Sequence, residues 1–163
     1  MRTKRSDTWD AFHRRGDVLR AVVDEANRRR DGELPRHLSG VADSFEDDLA
    51  LVAALQMRWH TRLSGHIERA LDETPTDPGD AVVTGWLRAA ADLPGVRMIL
   101  DRSAASPSSP RMADALAKAG DKERRMLAAM AGRANLQDTL APRIGARIEQ
   151  RARAHRDAAS LVA

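Results

Sequence analysis

Residues 49–71 read LALVAALQMRWHTRLSGHIERAL. Whether this run is a buried helix or the wall of a site decides how the rest of the chain is read. Leu49, Val52, Leu55, Trp59, Leu63, Ile67 and Leu71 recur every three or four residues, with Phe45 one step earlier. That spacing aligns side chains on one face of an α-helix. Ala50, Leu51 and Ala54 make the middle apolar on nearly every side, which predicts a helix with neighbours all round it. Glu46, Asp47 and Asp48 precede the run, whereas Arg58, Arg62 and Arg69 lie toward its end. This is the charge order that a helix dipole favours. With a capping-box candidate at Asp43 and Glu46, the helix is expected to span about 41–73.

Working outward, the same start and stop signals divide the whole chain into helices, and no segment alternates with the period of a strand. A first helix is expected over about 6–30. Trp9, Phe12, Gly16, Leu19, Val23 and Ala26 form its seam, Gly16 allows a close approach, and Arg28, Arg29 and Arg30 precede a cap at Asp31-Gly32. Asp77-Pro78 opens a helix bearing Val82, Val83, Trp86, Leu87, Ala90 and Leu93, and Pro94-Gly95 opens a short one with Val96, Ile99 and Leu100. SAASPSSP over 103–110 reads as a loop ending in an N-cap at Ser109. A fifth helix carries Met112, Leu116, Ala119, Leu127 and Met130. It is weakened by Gly120 and Gly132, and ended or kinked by Pro142. The last helix, to about Ala158, places Leu140, Ile144, Ile148 and Ala152 in one row beside Arg143, Arg147 and Arg151.

Composition narrows the function classes. A chain of 163 residues fits one domain with a sizeable core. No cysteine is present, so disulfides, thiolate nucleophiles and cysteine-ligated metals are excluded. The pI near 10.1 accompanies a net charge of only +3. Arginine supplies 24 of the 27 basic side chains, and with no tyrosine and few lysines a small excess of it sets a high pI almost unopposed. The N-terminus MRTKRSD lacks the apolar segment of a signal peptide, and no uncharged run is long enough to span a bilayer, so a cytoplasmic location is expected.

The histidines of the opening stretch share no target. His60 and His66 are about 120° apart around a helix, too far to hold one ion from the same face. His66 falls within about 20° of Trp59 on the packing stripe and reads as a core-edge residue. Glu-x-x-His, His-Glu-x-x-His, phosphate-binding glycine loops, dinucleotide fingerprints and Gly-x-Ser-x-Gly are all missing, so no catalytic, cofactor-binding or metal-ligating residue is nominated. Trp9, Trp59 and Trp86, each on a different helix, read as core. If a small molecule binds, a pocket among Trp9, Trp59, His66 and Trp86 is the first expectation and the Met112, Met126, Met130 side the second.

The expected architecture is all-α: a single-domain bundle of five or six helices with a long central helix and a kinked C-terminal arm. A basic tail (1–5), a loop (103–109) and a frayed end (157–163) complete it. The leading functional expectation is a non-enzymatic protein acting through a protein partner or self-association by its C-terminal helix. The alternatives are small-molecule binding, loosely like the effector-binding half of a bacterial regulator, and nucleic-acid binding with Arg143, Arg147 and Arg151 as partner or phosphate contacts.

Overall fold

The structure, a computed structural model, describes the backbone of residues 3–161 and the side chains of residues 10, 11 and 13–161. The expected roles of Trp9 and Phe12, and parts of the expected tail and frayed end, lie outside the described residues. Seven helices and no strand are formed among the described residues: α1 (Thr3–Arg29), α2 (Val41–Ser44), α3 (Asp48–Glu73), α4 (Pro78–Asp92), α5 (Pro94–Ala105), α6 (Pro110–Met130) and α7 (Ala141–Ser160). The central position of the opening stretch holds, since α3 packs against α1, α4, α5 and α6.

The helix expected over 41–73 is two helices, which accounts for the seventh. Phe45 leaves helical geometry (φ −132°, ψ 114°) and is fully buried. Arg15 of α1 lies 4.4 Å from its ring centroid and donates a hydrogen bond of 2.7 Å to the Ser44 carbonyl. The cap is therefore Asp47, whose carboxylate accepts the Ala50 N–H at 2.7 Å, and not the Asp43–Glu46 pair. An oxygen two or three residues ahead of the free N–H groups satisfies them best, and Asp47 holds that place once Phe45 has turned inward.

Other boundaries moved for equally local reasons. α5 continues to Ala105, so the expected loop 103–109 shrinks to 106–109. Ser106 is the residue that Pro107 forces out of helical geometry. α6 stops at Gly132 and not at Pro142: Gly132 takes φ +66°, its N–H bonds the Ala129 carbonyl, and the next N–H, of Arg133, bonds Ala128. That is the glycine-terminated helix end in which two orphan carbonyls are satisfied together. Pro142 instead lies in the first turn of α7, where its missing N–H costs nothing. α7 extends through 157–160 and folds back on α4 and α6, burying Ile148 and Ala152. Leu140, expected in that row, is the exposed residue ahead of the helix.

Close packing falls on glycines other than the expected one. A Cβ on Gly16 would meet nothing within 4 Å, whereas one on Gly95 would lie 1.8 Å from the Ala26 carbonyl oxygen. Here α1 presses on the start of α5 and also caps it. Asn27 Oδ1 accepts the N–H groups of Gly95 (3.0 Å) and Val96 (3.4 Å), and its amide donates to the Asp92 carbonyl at 3.3 Å. The cap comes from 68 residues away in the chain. Asn27→Ala is expected to cost about 1–2 kcal/mol, the upper range for a cap, measured as a lowered urea midpoint with unchanged slope.

The core is continuous through all seven helices, with the one-turn α2 contributing Val41 and Phe45 following it. Trp59 and Trp86 meet edge to face at its centre, ring centroids 5.7 Å apart at 75°. Among the described residues no helix is long and apolar enough to cross a membrane.

Candidate functional site

α5 and α7 share no backbone packing, although both border the tryptophan pair. Side chains span the gap between them. Arg153 of α7 donates to both oxygens of Asp101 on α5 (2.9 and 2.8 Å) and to Glu149 Oε1 from Nε and Nη2 (2.9 and 2.8 Å). Behind this strap lies a cavity of about 270 Å³, walled by Gln56 of α3, Arg97, Leu100, Asp101 and Ala104 of α5, Leu116, Gly120, Glu123 and Arg124 of α6, and Glu149 of α7. Regular spacing brings each group in: 97 and 101, 116, 120 and 123, and 149 and 153 each lie one turn apart on their helices.

Two charged residues are buried among the described residues, Arg97 (7% exposed) and Glu123 (5%), and both line this cavity. Arg97 pairs with Asp101 at 2.9 Å, and its guanidinium stands 4.7 Å from the centroid of a Trp59 ring. Its Nε is buried without a hydrogen-bond partner. Glu123 differs, since among the described residues it forms no ion pair. Its partners are neutral donors, Trp59 Nε1 at 3.0 Å and Gln56 Nε2 at 3.4 Å, and both bonds converge on Oε2. Arg97, Arg124 and Arg153 are meanwhile bound to Asp101 and Glu149. Three cations thus share two carboxylates, and the third carboxylate is left without one.

Electrostatics follow this division. Burial pushes the Glu123 carboxyl above the usual carboxylate range; Arg97 pulls it back and Glu149 pushes it further. Burial would also raise Asp101 and Glu149, but Arg153 overcomes it at both, helped by Arg97 at the first and Arg124 at the second, so both lie low. Arg153 is held charged, its burial outweighed by the two carboxylates.

For Glu123 the consequence for stability has a definite sign. The unfolded carboxyl ionises first as pH rises, near 4.5, while the folded one keeps its proton to a higher pH. Its contribution to stability is therefore full below the unfolded value, is lost as pH rises to the folded value, and is flat beyond it. Glu123→Gln keeps an acceptor for Trp59 and removes the ionisation. It is expected to be more stable than the wild type at neutral pH, with the difference vanishing in acid, read from urea curves between about pH 3 and about pH 8.

The sequence-nominated residues divide. Trp59 and Trp86 come together, and Trp59 supplies a wall-side hydrogen bond to the cavity's carboxylate. Trp86 packs in the core with its Nε1 unpartnered, Arg153 5.2 Å and Arg156 5.6 Å from the ring. His66 is elsewhere: its Nε2 lies 2.6 Å from Asp92 and its Nδ1 2.9 Å from Arg69, on the outer side of α3. His60 lines a separate apolar groove of about 170 Å³ between α3 and α6, where burial, then Lys122, lowers its pKa. Met126 and Met130 are half-buried against the core, and Met112 is buried. Among the described residues no group of three or more histidines and carboxylates is placed to hold a metal.

Of the three arginines proposed as contacts, Arg147 and Arg151 line an open cleft with Arg133 beside Gly79 at the start of α4, and Arg151 pairs with Asp80. Arg143 is exposed and does not line the cleft.

Sequence reasoning missed Arg97 and Glu123. The signal was present: Glu123 stands in register with Leu116, Gly120 and Leu127, and Arg97 with Leu93 and Leu100, so each puts a charge on an apolar stripe. Comparisons of the chain with protein-family models, with curated proteins and with solved structures found no match.

Proposed function

We propose that this is a small-molecule-binding helical protein whose ligand places a cationic donor against Glu123. One observation carries the reading: a carboxylate 5% exposed, on a cavity wall, paired by no cation among the described residues. A buried, unpaired carboxylate is costly, and a fold that keeps one gives up stability. Such groups concentrate where a protein binds or reacts with something. The cavity, about 270 Å³, lies just below the usual range for ligand pockets and is more polar than most, with Gln56 and six charged side chains on its wall beside Leu100, Leu116 and small residues, which suits a small charged ligand. An ammonium at Glu123 would complete the pairing that the three arginines leave undone, and Arg97 Nε would gain an acceptor if the ligand carried one.

Thermal unfolding in n-propylammonium, with propanol and propionate as controls, tests this. Saturating ammonium, at about 100 times its dissociation constant, should add about 2.7 kcal/mol to the wild type and nothing to Glu123→Gln. Equal effects of all three solutes, or of ammonium on both proteins, would overturn the proposal.

A second reading has one specific support. Arg133 and Arg147 flank the N-terminus of α4, whose dipole favours anions, and this suits a phosphate-bearing partner. Retention on heparin that falls steeply with salt is the expected behaviour, and salt-independent retention would count against it. The association reading drew its force from an uncovered row on the last helix; α4 and α6 cover Ile148 and Ala152 of that row, while Ile144 is half-buried and Leu140 exposed.

A further inference from the structure

The cavity has a neighbour of opposite character. The groove between α3 and α6 is lined by Leu49, Val52, Ala53, Met57, Ala115 and Ala119, and Met57 is 64% exposed. Gln56 and Leu116 line both the groove and the cavity, so the two recesses meet at these side chains. Gln56 is a weak partition: it is half-buried, and its hydrogen bond to Glu123 is long at 3.4 Å.

We infer that the ligand is an amphiphilic monocation, a primary alkylammonium in its simplest form, with its head at Glu123 and its hydrocarbon chain in the α3–α6 groove. This rests on the reading of the cavity and extends it to the class of ligand. Charge decides the head: Glu123 is the cavity's carboxylate without a cation, and an ammonium has three donors to offer its free oxygen. The groove decides the tail, since apart from Gln56 its lining is apolar except for His60 and Lys122. Those two also decide the charge count. Both carry positive charge when protonated, so a second ammonium at the far end of a chain is opposed, and a monoamine is preferred over the matching diamine. Methionine at the rim is suited to chains of varied shape, because its thioether has three soft torsions.

The test is calorimetric titration of the full chain with n-alkylammonium chlorides from ethyl to octyl. Affinity is expected to rise about fourfold per methylene, the equivalent of ~0.8 kcal/mol per buried CH₂. The rise should stop once the chain has filled the groove, about 170 Å³. Hexylammonium should bind at least tenfold more tightly than the six-carbon diammonium. Ala53 is exposed in the groove, so Ala53→Trp leaves the core intact while filling the recess. That variant should bind ethylammonium as the wild type does and lose the dependence on chain length. Ethylammonium binding that depends on Glu123 but does not strengthen with chain length would overturn this inference and leave the cavity reading standing. No binding at any length would overturn both. A chain-length dependence unchanged in Ala53→Trp, or equal for alkanols, would refute the placement of the tail or the role of the head.

Discussion

Gly145→Ala is expected to lose more than about 3 kcal/mol, a large part of the 5–15 kcal/mol that holds a domain of this size together. A Cβ at Gly145 would stand 1.9 Å from the Arg124 carbonyl oxygen and 2.4 Å from its carbon. Both obstacles are backbone of α6, so no side chain can swing aside, and overpacking against backbone costs more than the usual 1–3 kcal/mol. The helices must separate, which draws Ile148 and Ala152 out of the core and Glu149 away from Arg124. Gly120→Ala supplies the control of opposite sign. It lies within α6 with nothing within 4 Å of its Cβ, so the substitution should add about 0.5–1 kcal/mol through helix propensity alone. Urea midpoints measure both. A Gly145→Ala midpoint equal to the wild type's would mean that α6 and α7 do not cross as described.

Trp59→Ala is expected to cost about 3–5 kcal/mol from the lost ring volume alone. More follows, because the indole is also the 3.0 Å donor to Glu123 and the surface over which Arg97 lies. Trp59→Phe separates these contributions. It keeps an aromatic face and drops the N–H, so the loss of a hydrogen bond to a buried charged acceptor, about 1.5–3 kcal/mol, adds to a smaller, pH-independent cavity term. Removing a donor that favours the ionised carboxylate raises the Glu123 pKa further. The deficit of Trp59→Phe should therefore be largest at neutral pH and shrink as pH falls and the carboxyl is protonated in both proteins. A deficit independent of pH would show that the indole does not serve Glu123.

How much of this was legible in the residues depends on what each feature draws upon. Caps made by side chains two or three residues from the N–H they accept, such as Asp77 and Ser109, were readable and stand where expected. The cap on α5 was not, because Asn27 reaches it from another helix. The break at Phe45 was hidden for a similar reason: its spacing continues the α3 stripe, and only the Arg15 contacts from α1 reveal why it leaves the helix. The same holds for the cavity. Trp59 was legible as core by its spacing, yet the partner of its N–H lies 64 residues on. Glu123 and Arg97 were passed over because charges between apolar neighbours are usually solvated, and only the gap between the α5 and α7 backbones makes them the floor of a recess.

The most direct measurement concerns a single proton, the indole N–H of Trp59, followed by ¹⁵N-correlated spectroscopy as n-propylammonium is added. The account predicts a saturable shift of this resonance, absent in Glu123→Gln, because the ligand and the indole share one carboxylate. A Trp59 resonance that stays in place while the ammonium binds and stabilises the protein would contradict it, for the cation would then be held somewhere other than Glu123.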